Sequence, residues 1–285
     1  MSTWQRFVGK NIRNFFYADL TQKNPTTVLN MRLDKIAIFL FLSSFISACL
    51  CLETKPSEYI VFRPQGVDKP VSTVIMAHGC DGFAYNNGQG YKNRATLIAQ
   101  RFNYNVVLYD AFKPRGWMSD EVCTGVNRTN ANPVPPYLRI EDTKQIARWI
   151  QQQEWHTGKI SLIGFSHGGS VALAVANDES ASKLIASAVA YYPNCDTSYI
   201  GKGTDKPLIP TLVHLGEDDN WTPIGGCLRY KDRPNYEMVV YKNATHAWEA
   251  GFNGTAIGRW PIRFNWEATH EAEVRTREFF NNTLQ

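Results

Sequence analysis

The sequence predicts an α/β fold in which a mostly parallel central sheet is covered by helices on both faces. Strand-like apolar runs alternate with helix-like segments after residue 58. These runs are continuously apolar, which is typical of parallel strands buried on both faces. The pentapeptide Gly-Phe-Ser-His-Gly at 164–168 stands between one such run and a helix-like stretch. Because there is no internal repeat and no sign of a second domain, residues 58–285 are expected to form one domain.

The predicted elements follow from apolar runs and from helical spacing. Seven apolar runs are predicted to be strands: 59–62, 73–77, 105–110, 160–163, 186–192, 211–215 and 236–241. Four segments are predicted to be helices: 94–102, 140–153, 169–176 and 269–282. A long polar loop rich in Gly, Asn and Pro precedes the second helix. In a parallel sheet, functional side chains gather in the loops at the carboxyl ends of the strands.

The N-terminal segment is set apart from this domain. Residues 31–48 contain a charged segment, an apolar core and small residues, which is the order of a secretory signal peptide. Residues 46–49, Ile-Ser-Ala-Cys, also resemble a bacterial lipobox, in which Cys49 carries the lipid and becomes the mature N-terminus. We expect a bacterial cell-envelope protein that is exported and lipid-anchored to the membrane. The alternatives are secretion, or anchoring by an uncleaved N-terminal segment, for which the apolar core is short.

Residues 1–30 precede a signal that is complete from Met31. We interpret them as a non-native extension of the reading frame, with a real amphipathic segment as the alternative. Residues 49–57 are interpreted as a linker.

Charge and motifs exclude several function classes. The chain has 30 Lys and Arg residues against 26 Asp and Glu. Six basic and two acidic residues lie in 1–48, so the remainder is balanced at 24 of each. The basic excess therefore belongs to the leader, and no nucleic-acid partner is expected. No phosphate-binding loop, His-Glu-x-x-His motif or zinc-type cysteine spacing is present, so we expect neither a cofactor nor a metal.

Four cysteines lie within the predicted domain: Cys80, Cys123, Cys195 and Cys227. An exported protein can keep disulfides, and four cysteines allow three pairings that sequence alone does not separate. We favour Cys80–Cys123 and Cys195–Cys227, because each pair would join loops on the same edge of the sheet. Buried free thiols are the alternative.

Ser166 is the candidate nucleophile. Strand, Gly-x-Ser-x-Gly and helix together form the context of a nucleophile elbow, a sharp turn that exposes the serine hydroxyl. Gly164 and Gly168 leave room where a Cβ would collide with neighbouring backbone. The helix that follows directs free N–H groups at the site, where they can stabilise an oxyanion.

A serine nucleophile needs a histidine base and an acid that orients it. His246 is the histidine on a late loop that follows a predicted strand, and we assign the base to it. Glu217, Asp218 and Asp219 compete for the acid in the preceding loop. Glu217 lies at the strand end, whereas the acid should project from the loop toward the histidine, so Glu217 is disfavoured. The residues themselves do not show which of the two aspartates is the acid.

A second loop supports the same chemistry. His78-Gly79-Cys80 follows an early strand, and a His-Gly-x start in this position is typical of an oxyanion loop. The backbone N–H groups of Cys80 and His167 are therefore the expected oxyanion donors. The alternative is a glycine turn without a catalytic part.

With these motifs, residues 58–285 resemble the dienelactone hydrolase family. The segments that carry the resemblance are 78–82, 109–116, 164–169, 216–223 and 245–247. The resemblance places the family's acid on Asp219 and its histidine on His246, and implies a single sheet of the eight-stranded type with little or no lid. The enzymes that named the family use a cysteine nucleophile, whereas this chain has Ser166, which resembles the esterase branch.

The resulting hypothesis is a serine hydrolase that cleaves a small-molecule ester or lactone through an acyl-enzyme. An amidase or peptidase with the same triad is the near alternative. A non-catalytic envelope lipoprotein on a hydrolase scaffold is the alternative from another class. Trp117, Trp221, Trp248 and the stretch 252–266 are candidates to line the pocket, or else to pack in the core.

Overall fold

The computed structural model describes residues 59–83, 85–117, 122–123, 134–201, 206–256 and 258–285. The leader, the lipobox, Cys49, the linker and residues 118–121 and 124–133 of the polar loop lie outside these residues. Within them, no helix combines the length and hydropathy that crossing a membrane requires.

Seven strands form the main sheet: β1 (Tyr59–Phe62), β2 (Val71–Ala77), β3 (Asn105–Tyr109), β4 (His156–Phe165), β5 (Ser187–Tyr191), β6 (Thr211–Gly216) and β7 (Tyr236–Tyr241). Their order is β1-β3-β2-β4-β5-β6-β7. Only β1 pairs antiparallel, with β3, and the other neighbours are parallel. This confirms the predicted fold class. The described residues contribute seven strands to this sheet, one fewer than the resemblance implies.

Helices cover both faces of the sheet: α1 (Gln89–Phe102), α2 (Arg139–Ile150), α3 (His167–Ala176), α4 (Thr197–Ile200), α5 (Gly225–Leu228) and α6 (Trp266–Leu284). Side chains of α1 and α6 share one buried cluster with Val74 and Met76 of β2. Side chains of α2 and α3 share the other cluster with Ile75 and Ala77. Because successive strand residues point to opposite faces, a stretch of strand buried on both sides is continuously apolar, as residues 74–77 of β2 are.

The element ends differ from the predictions where the sequence is polar. Helix α1 begins five residues before the predicted start, because Tyr91 is the one buried side chain among its first five residues and a single such residue shows no helical period. Strand β4 begins at His156, with exposed residues before Ile160. Two short strands, β8 (Gly254–Ala256) and β9 (Trp260–Ile262), form a separate antiparallel ribbon that was not predicted. Three-residue strands carry too little periodicity to be recognised.

Both favoured disulfides are present in the structure. Cys80–Cys123 ties the loop after β2 to a residue more than forty positions later. Cys195–Cys227 joins the loop after β5 to α5. Each bridge therefore connects segments near the carboxyl ends of the strands, as the sequence argument expected.

One buried histidine makes stability depend on pH. Burial lowers the pKa of His214 to about 3, with a smaller contribution from the charge of Arg275. The neutral ring is bonded to the hydroxyls of Tyr241 and Thr276, at 2.9 and 3.0 Å. The unfolded chain then binds a proton that the native state does not, at every pH between about 6.5 and about 3. Stability contributed by His214 is thus present above the unfolded pKa and lost as the pH falls.

We expect His214→Gln to flatten the acid dependence of unfolding. In the wild type this histidine adds a slope of up to about 1.4 kcal/mol per pH unit below pH 6.5, with stability lower at lower pH. Urea unfolding of the full-length chain at several pH values between 7 and 5 measures the slope. His270→Gln, at an exposed position of α6, is the control. Equal slopes for the wild type and His214→Gln would contradict the assignment.

Candidate active site

The turn at Ser166 has the geometry of a nucleophile elbow. Ser166 joins β4 to α3 with φ 54° and ψ −114°, a conformation that non-glycine residues rarely adopt. Its N–H donates to the Tyr191 carbonyl at 2.9 Å. A Cβ on Gly164 would lie 1.9 Å from the Gly168 carbonyl oxygen, and a Cβ on Gly168 would lie 2.1 Å from that of Ala77. The two glycines are therefore required by the close approach of neighbouring backbone.

His246, in the loop after β7, lies beside this serine. Its Nε2 is 2.9 Å from the Ser166 Oγ. The ring is buried and packs against Tyr192 and Trp221, with ring centroids 4.6 and 4.7 Å apart. The two aromatic rings hold the imidazole in place while its Nε2 edge remains directed at the serine.

The structure separates the two aspartates that the residues alone left open. The Asp219 Oδ2 lies 2.7 Å from the His246 Nδ1. The Asp219 Oδ1 accepts hydrogen bonds from the N–H groups of Trp221 and Thr222, both at 2.9 Å. Asp218 points away and lies 3.4 Å from a guanidinium nitrogen on the surface. Ser166, His246 and Asp219 thus form one hydrogen-bonded chain.

The Asp219 carboxyl is held in its charged form. Burial by itself raises the pKa of this group, but the charge of His246 and hydrogen bonds from His246 and Thr222 outweigh it, and the pKa lies below its usual value. The Thr222 hydroxyl also donates to the Asp219 Oδ2 at 2.7 Å. A charged, fully bonded carboxylate can only accept, so the histidine carries its proton on Nδ1 and leaves Nε2 free to accept from the serine.

The two expected oxyanion segments border the same serine. His167 is the first residue of α3, where a helix N–H has no partner inside the helix. Cys80 lies in the loop after β2 and, like Ser166, lines the cleft. The loop is fixed at its start, where His78 bonds to the Gly79 carbonyl and to the N–H of Ala111, at 2.7 and 2.9 Å.

The serine opens into a cleft of about 710 Å³. Its walls come from the loop after β2, α1, the loops after β5, β6 and β7, and the β8–β9 ribbon. The apolar side chains in these walls include Trp221, Phe252, Ala256 and Ile262. The expectation that Trp221 and the 252–266 stretch contribute to the pocket is therefore confirmed. Trp248 instead lies fully buried in the core.

The cleft also holds polar groups that the sequence did not reveal. The Tyr91 hydroxyl donates to the Asp81 carboxylate at 2.6 Å and accepts from the Gly79 N–H at 2.9 Å. Arg94 forms an ion pair with Glu249 at 2.6 Å. Tyr91 and Arg94 sit in helix α1 and Glu249 in a loop without a recognisable motif, so only the fold brings them to the cleft. Among the described residues, no group of three His, Cys, Asp or Glu side chains is arranged to hold a metal ion.

Comparisons with known proteins identify a family and a shared fold. Residues 60–284 match the dienelactone hydrolase family. A putative dienelactone hydrolase from Klebsiella pneumoniae has a TM-score of 0.63 at 19% identity, over 78% of this chain and 92% of that one. Est1E from Butyrivibrio proteoclasticus, solved with ferulic acid, has a TM-score of 0.56 at 12% identity, over 79% and 94%. Thermogutta terrifontis esterase 2 has a TM-score of 0.54 at 15% identity, over 79% and 88%. At these identities the three structures show a common fold, and no curated protein sequence matches the chain.

Proposed function

The chain belongs to the dienelactone hydrolase family, and on that premise we propose that it cleaves a carboxylic ester with Ser166 as nucleophile, His246 as base and Asp219 as orienting acid. The observation that carries the proposal is the continuous hydrogen-bonded chain from Asp219 through His246 to Ser166, at 2.7 and 2.9 Å, at the floor of an open cleft. A serine hydroxyl becomes an effective nucleophile when a positioned base accepts its proton.

The proposed reaction has two halves. As the Ser166 Oγ attacks the ester carbonyl, its proton passes to the His246 Nε2, and Asp219 stabilises the resulting imidazolium. The N–H groups of Cys80 and His167 would stabilise the oxyanion of the tetrahedral intermediate. The imidazolium then protonates the departing alcohol, and an acyl-enzyme remains. A water molecule then attacks the acyl-enzyme while His246 takes its proton. As the bond to the Ser166 Oγ breaks, the imidazolium returns the proton to that oxygen and the acid is released.

The cleft supports a small ester or lactone as substrate. Trp221, Phe252 and Ile262 offer apolar surface close to the serine, which suits a hydrocarbon acyl or alkyl group. The serine nucleophile separates this chain from the cysteine enzymes that named the family, so we do not assign their substrate to it. An amidase or peptidase would use the same triad but must protonate a poorer leaving group.

A panel of matched p-nitrophenyl esters and anilides tests this proposal in the purified full-length chain. We expect turnover of the esters, with kcat/KM at least about 100-fold above that of the anilide with the same acyl group. Preferential anilide cleavage would favour the amidase. Absence of turnover together with absence of labelling by a fluorophosphonate would favour the non-catalytic scaffold.

We further propose that the protein is exported to the bacterial cell envelope and lipid-anchored at Cys49. The two disulfides support export, because such bridges persist in oxidising compartments. Intact mass of the membrane-bound protein tests this: the proposal requires loss of residues 1–48 and a lipid on Cys49. A mature chain that retains residues before 49 would contradict it.

The disulfide in the cleft wall gives a prediction of its own. Cys80 and Cys123 both line the cleft, and Cys80 is a proposed oxyanion donor. We expect the double variant Cys80→Ser/Cys123→Ser to lose about 10-fold or more in kcat, because the loop that carries the donor is released from one anchor. The measurement is ester turnover per folded molecule.

The second bridge supplies the matched control. Cys195–Cys227 closes 32 residues and Cys80–Cys123 closes 43, so their removal should cost similar stability, about 2–5 kcal/mol each. Neither Cys195 nor Cys227 is among the residues that line the cleft. Cys195→Ser/Cys227→Ser is therefore expected to keep kcat per folded molecule. Equal losses in both double variants would contradict a special role for the Cys80–Cys123 bridge.

A further inference from the structure

A fully buried arginine lies behind the two oxyanion segments. Arg139, the first residue of α2, has no exposed surface. Its Nη1 donates to the His78 carbonyl and to the His167 Nδ1, both at 3.0 Å. His78 begins the loop that carries Cys80, and His167 directly follows the nucleophile. A single guanidinium nitrogen thus joins the two segments that supply the proposed oxyanion donors.

The arginine also fixes the state of the His167 ring. A guanidinium can only donate, so the His167 Nδ1 must be an unprotonated acceptor. The ring therefore carries its proton on Nε2, which donates to the Val134 carbonyl at 2.8 Å. Burial, and then the charge of Arg139, lower the pKa of His167 to about 3. The ring stays neutral and bonded on both sides throughout the ordinary pH range.

The charge of Arg139 is buried at a cost in free energy that packing alone does not explain. A desolvated guanidinium is costly unless it is well bonded, and removal of its partners is strongly destabilising. Arg139 stacks near the rings of Tyr109 and Phe112, with its Cζ 5.5 Å from each ring centroid. Its Nε has no hydrogen-bond partner among the described residues. If the position served only to fill space between these rings, an apolar side chain would do so without the cost of burying a charge.

We propose that Arg139 is a positioning residue for the oxyanion hole, which keeps the loop at His78–Cys80 and the start of α3 at the spacing that the transition state requires. The inference rests on the proposed ester hydrolysis. Because the oxyanion exists only in the transition state and the tetrahedral intermediate, a misplaced donor pair should lower kcat and leave ground-state binding of the ester nearly unchanged.

The test compares Arg139→Lys and Arg139→Gln with the wild type in the full-length chain. We expect kcat for a p-nitrophenyl ester to fall about 10- to 100-fold, with KM within about threefold. The inhibition constant of a trifluoromethyl ketone, which forms a tetrahedral adduct on a serine, should rise by a similar factor. Affinity for the matched trifluoromethyl carbinol, which cannot form an adduct with the serine and carries no oxyanion, should not change. A merely structural arginine would alter the folded fraction without this difference between the two ligands.

Arg115→Gln is the matched control. Arg115 also lies beside α2 and is largely buried, but it forms its ion pair with Asp142 at 2.7 Å and donates to the Ala111 carbonyl. We expect lower stability with kcat per folded molecule retained. If both Arg139 variants keep kcat within twofold, or if the affinities for the ketone and the carbinol fall by the same factor, the proposal is overturned.

If the Arg139 variants fail to fold, substitutions of His167, whose Nδ1 accepts from Arg139, test the proposal instead. His167→Asn offers an amide oxygen that can accept from Arg139 at the place of Nδ1, whereas His167→Leu offers none. We expect the asparagine variant to keep a higher kcat and tighter ketone binding than the leucine variant, and equal values would overturn the proposal. Failure of the proposed function would look different: the wild type itself would hydrolyse no ester, or Ser166→Ala would still hydrolyse it.

Discussion

Replacing Ser166 with alanine is expected to lower kcat for ester hydrolysis by about 10⁴- to 10⁶-fold in the full-length protein. The Ser166 Oγ is the atom that bonds to His246, and no other group takes its place at the elbow in the proposed reaction. The residual rate of the alanine variant would come from the oxyanion donors and from binding of the ester in the cleft. Initial rates with a p-nitrophenyl ester, measured on folded protein, give the ratio.

Ser170→Ala is the control for this substitution. Ser170 lies one turn further along α3, and its buried hydroxyl bonds to the backbone of Asn194 at 2.9 and 3.0 Å. Its removal should reduce stability by about 1 kcal/mol and leave kcat within a few-fold. Retention of more than a tenth of the wild-type rate by Ser166→Ala would show that another nucleophile operates.

The second large effect concerns the acid. We expect Asp219→Asn to lower kcat by about 10⁴-fold, because an amide can donate to the His246 Nδ1 and so favours the ring tautomer that cannot accept from Ser166. Loss of the carboxylate also removes the charge that stabilises the imidazolium. Asp218→Asn changes an exposed side chain at the neighbouring position and should leave kcat within about twofold.

Comparison of Asp219→Asn with Asp218→Asn shows which of the two aspartates is the acid that orients His246. If Asp218→Asn carried the large loss and Asp219→Asn the small one, the acid would be misassigned. Comparable small losses in both would show that His246 does not depend on either carboxylate. Circular dichroism and thermal unfolding of each variant establish that rates refer to folded protein.

Much of the fold is readable from the sequence because the central strands are buried on both faces and so appear as apolar runs. The edge strands β1 and β7 coincide with the predicted runs 59–62 and 236–241, and the other strands of the main sheet begin and end within a few residues of their predicted bounds. The order Ser166, acid, His246 is readable for a related reason. Parallel strands bring their carboxyl ends to one edge of the sheet, so the loops that follow them must meet.

Other parts of the site depend on contacts that no local pattern encodes. Asp218 and Asp219 differ only in the direction that the loop after β6 gives each side chain. In the sequence Arg139 resembles any basic residue at the start of a surface helix. It is nevertheless fully buried, and its partners, a loop residue and the first residue of α3, are separated from it by 61 and 28 positions. The β8–β9 ribbon contributes cleft residues from strands too short to show a period.

The most direct test of the central claim is the site of covalent reaction with a fluorophosphonate. The phosphonyl group bonds to the activated serine oxygen as fluoride leaves, so the adduct marks the nucleophile. Mass spectrometry of the digested full-length protein is predicted to find one phosphonylated residue, Ser166, and none in Ser166→Ala. Labelling of the native protein at another residue, or no labelling of folded protein that hydrolyses esters, would contradict the account.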